Sequence, residues 1–169
     1  MAKVTRTGGL LVAAQLAASC GGGGGGSFKS ATPPSDICSL LTLADIQTIL
    51  PAAQAGVEQQ TADTTSVGFW ARDCAWDGTT TSVELVVFGA TTQQGLQGIK
   101  LAASSGDVNM TVSGLGTEAH YWQDTTNNTG GLWAIDGSQS VDITAYFFTP
   151  TPPESLFHPL VAKVLGEIK

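Results

Sequence analysis

Two stretches of the chain alternate between core-type and mixed positions. Val83, Leu85 and Val87 alternate with Glu84, Val86 and Phe88, and Val141, Ile143, Ala145 and Phe147 alternate with Asp142, Thr144, Tyr146 and Phe148. Successive side chains of an extended strand point to opposite faces, so each stretch predicts a strand that buries one set. Each follows an Asp-Gly pair, Asp77-Gly78 or Asp136-Gly137, itself preceded by a shorter apolar run, which is the signature of a hairpin. Weaker strand patterns lie near 57–61 and 119–123. Three other segments read as helix starts, with a Thr able to cap backbone N–H groups and a partner three places on: Thr42-Leu-Ala-Asp45, Thr91-Thr-Gln-Gln94 and Thr151-Pro-Pro-Glu154. The first runs to Leu50, before Pro51. Leu96, Ile99 and Ala103 form one stripe on the second, and Phe157, Leu160 or Val161, Val164 and Ile168 form one on the third. Pro159 is expected to kink the third helix or delay its start to His158.

These elements predict an α+β domain: one antiparallel sheet with three helices on one of its faces. The burying face takes Val83, Leu85, Val87, Val141, Ile143 and Ala145. The other holds Val86, Phe88, Tyr146 and Phe148 beside Glu84, Asp142 and Thr144, and a sheet face of mixed aromatic and acidic residues reads as a binding surface. The competing expectation is that the first helix or the segment 101–112 covers it. Ala75-Trp76-Asp77-Gly78 aligns with Ala134-Ile135-Asp136-Gly137, and Ser82-Val83-Glu84-Leu85 with Ser140-Val141-Asp142-Ile143, at spacings of 59 and 58 residues. A helix start follows each, which predicts internal duplication of a strand, strand, helix unit.

The N-terminus adds a destination. Lys3 and Arg6 precede an apolar run over 10–18 that ends in Ala17, Ala18 and Ser19, the layout of a secretory signal peptide over 1–19. Leu16-Ala17-Ala18-Ser19-Cys20 resembles the lipobox of bacterial lipoproteins, which implies that Cys20 is acylated, with palmitate for example, and becomes the first mature residue. Residues 20–35, with six glycines at 21–26 and Pro33-Pro34, read as a tether holding the domain, 36–169, clear of the membrane. The resemblance implies an exported chain anchored to the cell envelope. Its site would be the outer membrane in a Gram-negative source and the outer face of the cell membrane in a Gram-positive one.

Charge narrows the partners. The 169 residues carry 7 Lys and Arg against 14 Asp and Glu, a net −7, and cleavage after residue 19 would remove two bases and no acid. A chain this acidic is unsuited to a nucleic-acid backbone. Charged residues are only 12% of the chain while Thr supplies 21 positions, so the polar surface is largely hydroxyl and amide. With Cys20 on lipid, Cys38 and Cys74 form an even pair, in an exported domain most simply a disulfide. The alternative is a two-thiol metal site, for which only His120 and His158 remain as further imidazole ligands.

A wider resemblance rests on three stretches: Cys38-Ser-Leu-Leu-Thr-Leu-Ala-Asp-Ile46, Cys74-Ala-Trp76 before a strand, and Val112-Ser-Gly-Leu-Gly-Thr-Glu-Ala119. In this order they look like a broad group of bacterial lipoproteins, best represented in actinobacteria, across residues 36–168. The resemblance implies a disulfide and a small α+β domain, and it carries no activity.

The chemistry found is sparse. The chain lacks a Gly-x-Ser-x-Gly elbow, a phosphate-binding Gly-x-x-x-x-Gly-Lys loop and a His-Glu-x-x-His helix, so no catalytic residue, cofactor or metal is assigned. His120 is the candidate general base of a possible envelope hydrolase, because Glu118 and Trp122 share its strand face and Asp124 follows closely. Trp122 and Trp133 flank the Thr- and Asn-rich loop 124–131 and would be neighbours in a hairpin. Flat rings beside amides and hydroxyls suit a sugar, so a glycan- or peptidoglycan-binding domain is a second alternative. Trp122, Trp133, Tyr146 and Phe88 are the candidate ligand residues. The leading expectation is a lipid-anchored, noncatalytic binding or assembly module for an envelope partner.

Overall fold

The computed structural model describes residues 28–64, 67–102 and 108–168. Cys20, the expected signal peptide and the glycine tether lie outside the described residues, as does Ala103. Seven strands follow one another as β1 (Val57–Thr64), β2 (Phe69–Asp77), β3 (Ser82–Ala90), β4 (Val108–Thr111), β5 (Glu118–Asp124), β6 (Thr129–Asp136) and β7 (Gln139–Tyr146). They form one antiparallel sheet in the order β1-β2-β3-β7-β6-β5-β4, joined by helices α1 (Leu43–Gln47), α2 (Gln93–Ala102) and α3 (Glu154–Glu167). The fold is α+β.

Both Asp-Gly hairpins form. Gly137, at φ +60, turns the short link between Asp136 and Gln139, a conformation that costs glycine little. The two hairpins share a register: adding 58 to each member of the Trp76–Val83 pair gives the Ala134–Val141 pair. The same offset relates Leu85 to Ile143, which face each other across the central β3–β7 seam.

The predicted burying face is the core. Val83, Leu85, Val87, Val141, Ile143 and Ala145 are all fully buried, alongside Trp70, Cys74 and Trp76 of β2, Leu132 and Ala134 of β6, and Tyr121 of β5. α3 lays Phe157, Leu160, Val161 and Val164 across them, and α1 adds Ile46. Each such side chain contributes about 1.5 to 3 kcal/mol by leaving water. Cys38 and Cys74 are joined by a disulfide with 5.3 Å between Cα atoms, which rules out their use as a two-thiol metal site. Gly56 sits against this bridge: a Cβ there would lie 2.5 Å from Trp76 Nε1 and 2.7 Å from Cys74 Sγ.

The helix starts hold to different degrees. At α1 the capping box is complete: the Asp45 N–H donates to Thr42 Oγ1 at 3.2 Å and the Thr42 N–H donates to the Asp45 carboxylate at 2.7 Å. Lys163 of α3 reaches the same carboxylate at 2.6 Å. Burial works against the ionised form of Asp45, yet the hydrogen bonds from Lys163 and Thr42 hold it below the usual carboxylate range. The helix stops at Gln47 rather than Leu50, although the Ile49 and Leu50 N–H groups still donate to Ile46 O. At α2 the cap is Thr92, whose Oγ1 accepts from the Gly95 N–H at 3.0 Å, and not Thr91. α3 begins at Glu154 behind Pro153 with no side-chain cap, so Thr151 does not play that part. Pro159 lies inside α3 without delaying its start: it removes a backbone donor on the side where Ser155 and Pro159 are exposed, while Phe157, Leu160 and Val161 anchor the other.

Three expectations about the second face change. The helices do not share one face: α2 packs on the opposite side, where Leu96 and Ile99 meet Phe69, Phe88, Ala90, Trp133 and Ile135. α1 does not cover that face, and of the segment 101–112 the part 103–107 lies outside the described residues. α1 belongs to the core side, and the described end of the segment is β4, which extends the sheet beside β5. Phe148 is not on the second face either. The strand ends at Tyr146, Phe147 turns to φ +64 with its ring exposed, and the broken alternation returns Phe148 to the core side. Chain before residue 36 also takes part in the fold: the Ala31 N–H donates to Ala90 O, Trp70 Nε1 donates to Ala31 O, and Phe28 packs near α2. Among the described residues no helix is long and apolar enough to cross a membrane.

Candidate functional site

The second face reads as rows across the strands, because paired residues stand side by side. One row runs Ala75, Glu84, Thr144, Gly131, Trp122, Asn109, and the next runs Asp73, Val86, Asp142, Trp133, His120, Thr111. α2 lies over the end of the face marked by Phe88, Trp133 and Ile135. Toward the other end Glu84, Val86, Asp142, Trp122 and Tyr146 are half-buried, with the small residues Ala75 and Gly131 and the hydroxyl of Thr144 between them.

Polar contacts organise this area. The Tyr146 hydroxyl donates to Glu84 Oε2 at 2.8 Å, across 62 residues of sequence, and Thr144 Oγ1 donates to the Asp142 carboxylate at 3.2 Å. Burial pushes the Asp142 carboxyl up to about 7; the Thr144 hydrogen bond opposes this and the nearby Glu84 charge adds to it. Asp142 can therefore stand protonated in neutral solution and donate a hydrogen bond as well as accept one. Behind it on β7, Ser140 Oγ is buried with no partner among the described residues.

The four candidate ligand residues separate. Trp122 and Tyr146 are half-buried and stand on alternate strands two residues out of line, about 12 Å apart by strand spacing and rise. Trp133 is only 3% exposed, packed against the α2 side, with the imidazole of His120 stacked on it at 5.6 Å and 18°. Phe88 is half-buried beside α2, edge-on to Phe69 at 6.3 Å. The pair Trp122 and Trp133 thus shares a face but does not present two open rings.

His120 sits with Glu118 as its spacing suggested. Its Nε2 lies 3.3 Å from Glu118 Oε1, and Lys100 of α2 reaches Glu118 Oε2 at 3.3 Å. The His120 hydrogen bond, with help from Lys100, holds the Glu118 carboxyl below its usual range against partial burial. Asp124 takes no part, since its carboxylate accepts the Thr126 and Asn127 N–H groups and is lowered by Asn127. The loop 111–117 encloses a shallow cavity of about 320 Å³ with Glu118 and His120. Among the described residues no Ser, Thr or Cys side chain hydrogen-bonds to His120, and no group of three His, Cys, Asp or Glu is placed to hold a metal ion.

Sequence reasoning missed the Tyr146–Glu84 bond and the Asp142–Thr144 pair as contacts, although it put all four residues on this face. The signal was there in the two aligned alternations, whose register sets Glu84 beside Thr144 and Val86 beside Asp142. No protein family, curated protein or solved structure matches the chain.

Proposed function

We propose that the chain is a lipid-anchored cell-envelope protein whose domain is a noncatalytic binding module for an envelope partner. The observation that carries this is the division of the second face. α2 covers one end, and the rest offers two half-buried aromatic rings, Trp122 and Tyr146, beside the acceptors Glu84, Asp142 and Thr144. Such a surface orients a ligand by hydrogen bonds and holds it by apolar contact. The membrane anchor is the lipid on Cys20, and the resemblance to lipoproteins supports it. No cofactor is part of this reading.

A glycan ligand is the second reading, favoured by the half-buried Trp122 facing the side-chain-free Gly131. Trp122 and Tyr146, rather than Trp122 and Trp133, would then carry the stacking. A hydrolase based on His120 finds less support, because Glu118 and Trp133 engage the imidazole and no nucleophile among the described residues joins it. The shared hairpin register also supports the proposal that the domain arose by duplication of a strand, strand, helix unit, with α2 and α3 later settled on opposite faces.

Fractionation and co-sedimentation test the reading. Cys20→Ala is expected to move the protein from membrane to soluble fraction, and retention in the membrane would overturn the anchor. Trp122→Ala with Tyr146→Ala is expected to reduce retention on the native envelope fraction at least tenfold without lowering the melting temperature by more than a few degrees. Loss on purified cell-wall material as well would select the glycan reading, and unchanged retention on both would remove the face from consideration.

A further inference from the structure

The two edges of the sheet are unlike. β1 carries the exposed Glu58 and a register irregularity between Glu58 and Thr61, the kind of device that discourages a further strand. β4, Val-Asn-Met-Thr, has no charge, no proline and no irregularity against β5. Its hydrogen-bonding direction follows from the alternation of antiparallel pairs. The Val112 N–H donates to Ala119 O at 2.9 Å, so the Met110 pair also faces β5, and the peptide groups of Asn109 and Thr111 point outward. Among the described residues no strand lies beyond them.

Next to this edge runs a groove of about 420 Å³, with Met110, Thr111, Val112 and Ser113 on one wall and Glu154 and His158 of α3 on the other. His158 Nε2 lies 3.4 Å from Ser113 O and ties the walls together. Met110 is 49% exposed, one of few large apolar side chains so placed. An open strand edge beside a helix, with an apolar side chain between them, is the arrangement in which extended peptides bind by strand addition.

We propose that β4 takes an extended, basic segment of a partner protein as an eighth strand, paired to Asn109 and Thr111, with an apolar side chain over Met110 and a cationic one beside Glu154. This rests on the binding-module reading and names the element that would hold the partner. Charge selects the occupant. A second copy would bring net −7 against net −7, whereas the groove contains the carboxylate of Glu154 and no Lys or Arg.

The test is amide hydrogen exchange by NMR on the full-length protein in detergent at physiological salt, with two probes: an extended peptide of alternating Lys and Val, and its Glu and Val counterpart. The Lys peptide is expected to slow exchange at the Asn109 and Thr111 amides at least tenfold, with no change along β1, and the Glu peptide to do nothing. Thr111→Pro removes only an outward donor and should weaken the Lys peptide at least tenfold with little loss of melting temperature. Met110→Lys should do the same should the proline variant fail to fold. Protection of β1 instead, equal binding to the variants, or no protection by either peptide would overturn the proposal. So would amides already protected in the free protein, which would mean that this chain covers its own edge, or a concentration-dependent dimer lost in Thr111→Pro. Loss of the edge effect with envelope retention intact would refute the edge and leave the binding module standing. Loss of retention with peptide protection intact would do the reverse.

Discussion

The two faces of the sheet do different work with the same strands. On the first, the central β3 and β7 positions are apolar and fully buried, two helices and a disulfide close over them, and Arg72 at the margin lies 6.0 Å from the Trp70 ring. On the second, one short helix covers one end, and the same two strands carry Glu84, Asp142, Thr144 and the hydroxyl of Ser140, which has no partner among the described residues. Leaving a buried polar group unsatisfied costs about 1 to 3 kcal/mol. A domain tolerates that on one side only if the other supplies the stability. The contrast teaches that the first face holds the fold and frees the second to carry groups that a core would exclude.

The comparison breaks most readily at the bridge. Cys38→Ala with Cys74→Ala opens a loop with a sequence separation of 36 and should cost about 4 kcal/mol, seen as a fall of roughly 10 °C or more in melting temperature. A smaller loss is expected on the second face. Ile99→Ala should cost about 2 kcal/mol in denaturant titration, at the low end for a buried isoleucine because α2 offers a single shallow stripe. A cost equal to that of the disulfide would show that both faces hold the fold alike.

The subtlest change sharpens the comparison through pH. The folded Asp142 carboxyl is raised to about 7, above an unfolded value of roughly 4. Its contribution is therefore fully present below pH of about 4 and is lost as pH rises toward 7. Asp142→Asn should flatten stability across that window and leave the variant at least as stable as the parent at pH 8. An unchanged slope in melting temperature against pH would show that Asp142 ionises as freely in the fold as outside it.

How much of this could be read beforehand follows the same division. Alternation named the buried residues of β3 and β7 because six apolar side chains on one parity leave a strand one choice of face. Counting cysteines found the bridge. The stripe of Leu96 and Ile99, by contrast, is as good for one side of a sheet as for the other, and nothing local to α2 says which. Phe148 was misplaced because alternation holds only while the backbone stays extended, and Phe147 at φ +64 ends it. β4 is four residues long, too short for a period to show. At the site, the residues of the second face were legible by parity. The burial of Trp133 was not, since it depends on α2 and on the His120 ring brought over it from β5.

The bridge between Cys38 and Cys74 also decides how the domain would carry a mechanical load. Tension entering from the N-terminal side meets the packing of Phe28 and then the Ala31 contacts with Ala90 and Trp70, which can peel one at a time. At Cys38 the force leaves the backbone, crosses the sulfurs and enters β2 at Cys74, so α1 and β1 lie on a slack bypass between the two cysteines. Stretching an oxidised molecule would thus release at most the chain outside that bypass, and the shortfall in contour length would disappear on reduction.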